Sequence, residues 1–168
     1  MRYFQIAGNP LPFGYDDTIP NQLAAMEAKF FTNGVLNSGV TEVTGNWPPA
    51  PTLAQVQAAQ SALMTSACQN AIEAGFSSSA LGSAYTYGCK ATDQANINLA
   101  AVGGGSLWCA NSSNVWVFAS HTVTEAQQVQ KDMAAHIQAQ QSTYAKALSD
   151  IAAATTVAEV EAITWAAP

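Results

Sequence analysis

Apolar residues recur at helical spacing in two long stretches of the chain. The first predicts a helix over residues 52–74 that stops at Gly75, with Leu63 on its inner face and Gln57 and Gln60 turned away. The second predicts a longer helix over residues 124–153. Helix starts are marked by capping boxes, in which a threonine and a Gln or Glu satisfy backbone N–H groups. The boxes are Thr52–Gln55, Thr124–Gln127 and, for a short last helix, Thr156–Glu159.

The segment between the long helices has a mixed pattern. Residues 85–87 predict a strand, and residues 92–102 predict a short helix. Residues 107–110 and 115–118 predict a β-hairpin, because both arms carry aromatics and the turn-forming residues 111–114 lie between them. These elements together predict an α+β fold, with long antiparallel helices, a small β-hairpin and short-helix insert, and an extended N-terminal segment.

The first fifty residues read differently from the rest. We expect a strand over residues 3–6, a helix over 20–31 that ends at Asn33-Gly34, and irregular structure over 37–45.

The domain organisation follows from this change of character. Residues 1–46 are interpreted as an N-terminal attachment segment with little core of its own. The proline-rich residues 47–51 form a stiff connector, and residues 52–168 form the main domain.

The longest predicted helix carries a heptad pattern diluted with Ala and Gln. We call its central positions the heptad seam, and they are Met133, Ile137, Gln140, Tyr144 and Ile151. A repeat of this kind indicates helix association. The seam therefore predicts a homo-oligomer, with a trimer favoured.

Composition narrows the function classes. Only 10% of the 168 residues are charged, against about 25% in a typical domain, and the net charge is −6. With five Lys and Arg in all, there is no basic stripe for nucleic acid. We find no stretch typical of a signal peptide or a membrane span. Burial of the exterior against sister protomers or neighbouring proteins would explain why so few ionic groups suffice.

Candidate chemistry is sparse. His121 and His136 are interpreted as structural, and Asp93 as a helix-start acid. The neighbouring carboxylates, Asp16 with Asp17 and Glu159 with Glu161, do not converge by themselves. No catalytic residue, metal site or cofactor is predicted.

The three cysteines are Cys68, Cys89 and Cys109. A disulfide between Cys89 and Cys109 is left open as an alternative. Buried free thiols are favoured because the number of cysteines is odd and their spacing is scattered.

Five aromatics fall close together in the middle of the chain: Tyr85, Tyr87, Trp108, Trp116 and Phe118. The favoured interpretation is that they cover the small sheet against the helices. The alternative is an exposed platform that contacts a sugar or a protein partner, with Trp116 and Phe118 on one face.

An ordered set of short motifs resembles a domain of unknown function found in tail-fibre and related tail proteins of tailed bacteriophages. The resemblance covers roughly residues 50–165, and its motifs are 71–76, 79–82, 85–87, 93–96, 107–108, 115–122, 127–129, 148–157 and 163–165. The resemblance implies a virion tail setting and supplies no catalytic residues. Because only about fifty residues precede the domain, a short fibre, fibre adaptor or baseplate-peripheral subunit is expected rather than a long fibre.

The leading hypothesis is therefore a non-enzymatic structural protein of a phage tail, made in the host cytoplasm, which contacts other tail proteins. Two alternatives stay open. One is a tail-fibre assembly chaperone that is absent from the mature particle, and the other is a receptor-recognition tip that binds a host surface glycan.

Overall fold

The structure, a computed structural model, describes residues 1–9, 11–16, 18–43 and 50–168. The chain divides into two units, Met1–Pro51 and Thr52–Pro168. Residues 47–49 of the predicted connector and Asp17 lie outside the described residues.

The N-terminal unit has a small aromatic core. Its elements are β1 Arg2–Ile6, β2 Phe13–Tyr15, α1 Pro20–Phe30, β3 Phe31–Thr32, β4 Val35–Leu36 and β5 Val40–Val43. Strands β2, β1 and β5 form an antiparallel sheet in that order. Phe4 stacks on Phe30 with ring centroids 4.9 Å apart, and Met26 is buried beside them. We expected little core in this segment, and the structure differs because α1 covers the sheet's apolar residues.

A two-residue turn at Asn33-Gly34 explains a second difference. Helix α1 ends at Phe30, and the turn joins β3 to β4 with positive φ angles of 52° and 76°. Asn-Gly between short apolar runs is a strong hairpin signal, because both residues adopt positive φ readily. Its interpretation as the end of the helix was wrong.

The second unit confirms the α+β prediction. Its elements are α2 Leu53–Glu73, β6 Phe76–Ser78, β7 Tyr85–Tyr87, α3 Ala91–Gly103, β8 Gly105–Ala110, β9 Trp116–His121, α4 Val123–Ala153 and α5 Val157–Glu161. The four strands form an antiparallel sheet in sequence order. Helices α2 and α4 are antiparallel, since Thr65 bonds to Tyr144 while Ile72, further along α2, bonds to the earlier His136.

Two buried clusters hold the second unit together. The first core cluster joins the sheet to α3 and α4 and comprises Phe76, Tyr87, Cys89, Ile97, Ala100, Leu107, Cys109, Ala126, Val129 and Met133. The second core cluster joins α2, α4 and α5 and comprises Met64, Ala147, Ile151 and Val160.

Threonine capping boxes begin three of these helices. The boxes at Thr52 and Thr156 are confirmed. The box that begins α4 is formed by Thr122 and Glu125, so the helix starts before the predicted Thr124. The sequence fits the motif at both threonines, and β9 ends at His121, which leaves Thr122 as the first residue free to cap the helix.

Neutral amides serve the helix C termini, where cations are common in other proteins. None of α2, α3, α4 and α5 has a basic residue in its last turn. Gln57 Nε2 instead donates to the carbonyls of Ile151 and Ala154 at the end of α4, at 3.0 and 3.3 Å. Gln127 donates to Ala101 near the end of α3.

The same role corrects the predicted faces of α2. Gln57 and Gln60, expected to point away, are half-buried, and Gln60 donates to the carbonyl of Ile163. Leu63, expected inside, is 59% exposed. The inner face of α2 is therefore partly polar because it must satisfy carbonyls that no local residue reaches.

Candidate functional site

The β8–β9 hairpin separates an inner apolar face from an outer aromatic one. Successive side chains of a strand point to opposite faces. Leu107 and Cys109 of β8 lie in the first core cluster, whereas Trp108 between them is exposed. Trp108 is paired with Phe118 of β9, which places both rings on the outer face.

The turn of this hairpin is held by one asparagine. Asn111 Oδ1 accepts hydrogen bonds from the N–H groups of Ser113 and Val115, both at 3.0 Å. Asn114 adopts a φ of 57°, a conformation that asparagine tolerates better than most residues. These contacts hold the two arms in the register that aligns the outer aromatics.

Three rings form what we call the aromatic face: Trp108, Trp116 and Phe118. Their exposed fractions are 55%, 41% and 68%. The Trp108 and Trp116 rings are nearly parallel, with centroids 6.3 Å apart, and Phe118 lies 6.2 Å from Trp108 on a tilted plane. Within one protein chain such rings are normally covered. The favoured interpretation of these residues as a cover over the sheet was wrong for these three.

The other two predicted aromatics belong to the interior. Tyr87 is fully buried, and Tyr85 is half-buried against the first core cluster. They share a face of β7 because they are two residues apart. The five predicted aromatics therefore do not form one platform.

A cleft of about 410 Å³ lies between α3 and the aromatic face, and we call it the α3–β8 cleft. Trp108 and Phe118 line its strand side, while Asp93, Asn96 and Leu99 line its helix side. Leu99 and Asn96 are exposed, and Asp93 is half-buried. Three residues of α3 thus join the site without having been singled out for it, although their spacing on a helix would have placed them near one face.

Asp93 has a structural task as well as a place in the cleft. Its Oδ2 accepts the backbone N–H of Lys90 at 3.0 Å, which caps the start of α3, and its place in the first turn confirms the interpretation as a helix-start acid. A Cβ at Gly88 would come within 2.5 Å of the same oxygen, so the glycine leaves room for the carboxylate.

The heptad seam lies inside the chain. Met133 belongs to the first core cluster and Ile151 to the second. Ile137 packs against the first cluster, and Tyr144 packs in the second, where its hydroxyl lies 2.9 Å from Thr65 Oγ1. Within the chain the seam therefore packs against α2, the sheet and α5, with Met133, Gln140 and Ile151 buried and Ile137 and Tyr144 half-buried.

Gln140 is the most unusual member of the seam. It is 7% exposed, and its Oε1 is buried without a hydrogen bond from any described residue. Its backbone carbonyl accepts the thiol of Cys68 at 3.7 Å. Burying an unpaired acceptor costs stability.

A buried polar pair lies behind β9. The Tyr87 hydroxyl is 2.8 Å from His121 Nε2, and His121 Nδ1 is 2.9 Å from the carbonyl of Ala119. Because a carbonyl only accepts, Nδ1 donates, so in a neutral ring Nε2 accepts the Tyr87 proton. Burial raises the pKa of the Tyr87 hydroxyl. The pair is thus a satisfied structural contact.

The three cysteines are buried free thiols, as favoured from the sequence. Burial raises the pKa of the Cys68, Cys89 and Cys109 thiols. The thiolate is the reactive form, so these side chains are poor nucleophiles at neutral pH.

The remaining candidate groups also serve backbone structure. His136 Nε2 lies 3.2 Å from the carbonyl of Ile72, near the C terminus of α2. Thr18 donates to Asp16, and Thr155 and Thr156 donate to Glu159, which lowers the pKa of both carboxyls. Across the described ranges, no three His, Cys, Asp or Glu side chains converge into a metal-binding group. None of the helices in the described part of the chain combines the length and apolar character needed to cross a bilayer.

Comparison with known proteins gives a family for most of the second unit. Residues 55–164, about two thirds of the chain, match the family model described as "Domain of unknown function (DUF4376)". The matched range contains the α3–β8 cleft and the aromatic face. No curated protein and no solved structure matches the chain significantly.

Proposed function

We propose that this chain, which belongs to the DUF4376 family, is a non-enzymatic structural component of a bacteriophage virion tail. The proposed place is a short fibre, a fibre adaptor or a peripheral baseplate subunit, which acts in assembly and in host attachment. The protein would be made in the host cytoplasm and enter the particle with the tail.

The proposal is carried by the resemblance of an ordered set of motifs in this chain to a domain of tail-fibre and related phage tail proteins. The motifs fall between residues 71 and 165, within or at the edge of the family match at residues 55–164. Several coincide with built features of the second unit. Motif 85–87 is strand β7, motif 107–108 includes the exposed Trp108, and motif 115–122 covers β9 and the cap of α4.

The aromatic face supports a role in contact with another molecule. Large exposed apolar patches on soluble proteins mark interaction sites more often than scattered single residues do. Trp108, Trp116 and Phe118 are adjacent, exposed and fixed by a hairpin on a rigid sheet. A tail subunit needs such surfaces for neighbours or for a host.

The chemistry of the interior supports a non-enzymatic role. His121 and His136 both hydrogen-bond to structural partners, and the three thiols are buried. The titratable residue that lines the α3–β8 cleft, Asp93, already caps a helix.

Self-association remains part of the proposal, but its contacts are no longer assigned to the heptad seam. Met133, Gln140 and Ile151 of the seam are buried within the chain, so we expect a homo-oligomer to form mainly through other surfaces. Sedimentation velocity at micromolar concentration tests this part, and a homogeneous monomer would remove it.

Mass spectrometry of purified phage particles tests the proposed function. We expect the protein in stoichiometric amounts with the tail, and cryo-electron microscopy of the particle would then show its position and copy number. The competing function is the assembly chaperone. Presence of the protein in infected cells together with its absence from purified particles would contradict the structural role and support that chaperone.

A further inference from the structure

We propose that the α3–β8 cleft binds a neutral sugar, with Trp108 as the stacking surface and Asp93 and Asn96 as hydrogen-bonding side chains. The proposal rests on the proposed function for its biological setting, which is host attachment. Its chemical content concerns the isolated protein and is tested there.

The strand side of the cleft provides an ordered apolar surface. Trp108 lies between Trp116 and Phe118, with ring centroids 6.3 and 6.2 Å away. The face of an aromatic ring carries partial negative charge, so it attracts the weakly positive C–H groups on the apolar side of a pyranose. The neighbouring rings restrict Trp108 before a ligand arrives, which lowers the entropy that binding must overcome.

The helix side provides polar groups that match hydroxyls. The Asp93 carboxylate accepts hydrogen bonds, and the Asn96 amide both donates and accepts. Both line the same cleft as Trp108. A few polar groups beside an apolar surface are typical of small-molecule sites. A protein partner that covered this cleft would bury the Asp93 carboxylate, which is costly without a cationic partner.

Charge selects a neutral ligand. Asp93 lines the cleft, and the chain has a net charge of −6, so acidic sugars would be repelled. A quaternary ammonium ligand is favoured by rings that enclose it as a cage. Here Trp108 and Trp116 are 18° from parallel and Phe118 is tilted by 45°, so the rings line one side rather than enclosing a cation.

The size of the cleft fits a short saccharide. Its volume of about 410 Å³ lies at the lower end of the range of roughly 300–1,000 Å³ for small-molecule sites. The exposed Leu99 adds an apolar side chain to the helix side of the cleft. One or two sugar units would therefore be in contact, and longer glycans would continue into solvent.

Titration calorimetry of the full chain with a panel of neutral di- and trisaccharides of hexoses and N-acetylhexosamines tests the proposal. We expect at least one probe to bind, and Trp108→Ala to weaken that binding by about tenfold or more. Asn96→Ala, an exposed position that leaves the α3 cap intact, should weaken it by several fold. Leu63→Ala, an exposed apolar residue on α2, is the matched control and should keep the wild-type affinity. Circular dichroism checks that each variant is folded.

Three results would overturn the proposal: no binding by any probe at concentrations up to about 10 mM, equal affinity in wild type and both folded cleft variants, or tighter binding of choline than of every sugar. The outcome is separate from the test of the proposed function. Absence from the virion would remove the tail assignment and leave sugar binding by the isolated chain intact, and the reverse also holds.

Discussion

The central side chains of helix α4 and the aromatic side chains of the β8–β9 hairpin differ in their exposure to solvent. Met133, Gln140 and Ile151 of the heptad seam of α4 are buried by the rest of the second unit, and even the polar Gln140 is only 7% exposed. The aromatic face of the hairpin stays in solvent, and Phe118 is 68% exposed. In these two regions, whether a side chain is buried therefore depends more on where its helix or strand lies in the fold than on how hydrophobic the residue is.

The contrast has an energetic meaning. Covering a large apolar side chain contributes roughly 1.5–3 kcal/mol, so the aromatic face leaves several such contributions unused. The seam does the reverse, because it buries a Gln acceptor that would be better hydrated. One region stabilises the chain at the expense of a polar group, and the other keeps apolar surface free for a ligand or partner.

Contacts within the chain explain part of its low content of charged residues. Gln57, Gln127 and His136 donate to helix C-terminal carbonyls that a Lys or Arg often serves elsewhere. These three side chains replace only a few of the missing charged residues, so burial of the exterior by sister protomers or neighbouring proteins stays a prediction.

The substitution with the largest expected effect on stability lies in the buried region, the heptad seam. Ile151 lies in the second core cluster with Met64 and Val160, so Ile151→Ala leaves a cavity. We expect a loss of about 2–5 kcal/mol in the free energy of unfolding, measured by urea denaturation. The exposed Leu63→Ala should change it by less than about 0.5 kcal/mol. Equal losses in the two variants would contradict the inner position of the seam.

A second substitution in the heptad seam is expected to have a smaller effect on stability, of opposite sign. Gln140→Met removes a buried acceptor that no described residue satisfies and keeps a similar shape. We expect a gain of about 1 kcal/mol in the free energy of unfolding. Gln138→Met, on the exposed side of α4, is the control and should be nearly neutral. A clear destabilisation by Gln140→Met would mean that the amide has a partner.

The start of α4 should respond to pH. Hydrogen bonds from the Thr122 backbone N–H and hydroxyl lower the pKa of Glu125. The carboxylate therefore stabilises the fold above its unfolded-state pKa of about 4.3, and this contribution disappears as the pH falls through the lower folded value. Glu125→Gln keeps an amide that can cap the helix but cannot titrate. The fall in melting temperature between pH 7 and pH 3 should be shallower in this variant, and identical profiles would count against the cap.

The smallest expected effect on stability is that of a substitution in the exposed aromatic face. Phe118→Ala should change the free energy of unfolding by less than about 0.5 kcal/mol, since the ring is in solvent. Leu107→Ala, on the inner face of the same hairpin, should cost about 2–5 kcal/mol. Denaturation of the pair by urea compares the two faces directly, and a large loss for Phe118→Ala would show that its ring is covered.

Patterns among residues close in sequence predicted where the helices begin, but they did not predict which surfaces of the protein are buried and by what. The boxes at Thr52 and Thr156 mark real helix starts, because capping involves residues close in sequence. A heptad pattern shows that a helix face is covered, but a copy of the chain and the chain's own α2 produce the same pattern.

Other features depend on distant partners. Alternation placed Trp116 and Phe118 on one face of a strand, but it does not say which face meets the helices. The roles of Gln57 and Gln60 were missed because they serve carbonyls about one hundred residues away, which no local pattern records.

Hydroxyl-radical footprinting of the folded protein tests the contrast between the two regions most directly. Oxidation read by mass spectrometry reports the solvent access of single side chains, and Met1 is an exposed methionine for reference. We predict fast modification of Trp108 and Phe118, and protection of Met133 relative to Met1. Oxidation of Met133 as fast as Met1, together with protection of Trp108 in a monomeric sample, would contradict the account.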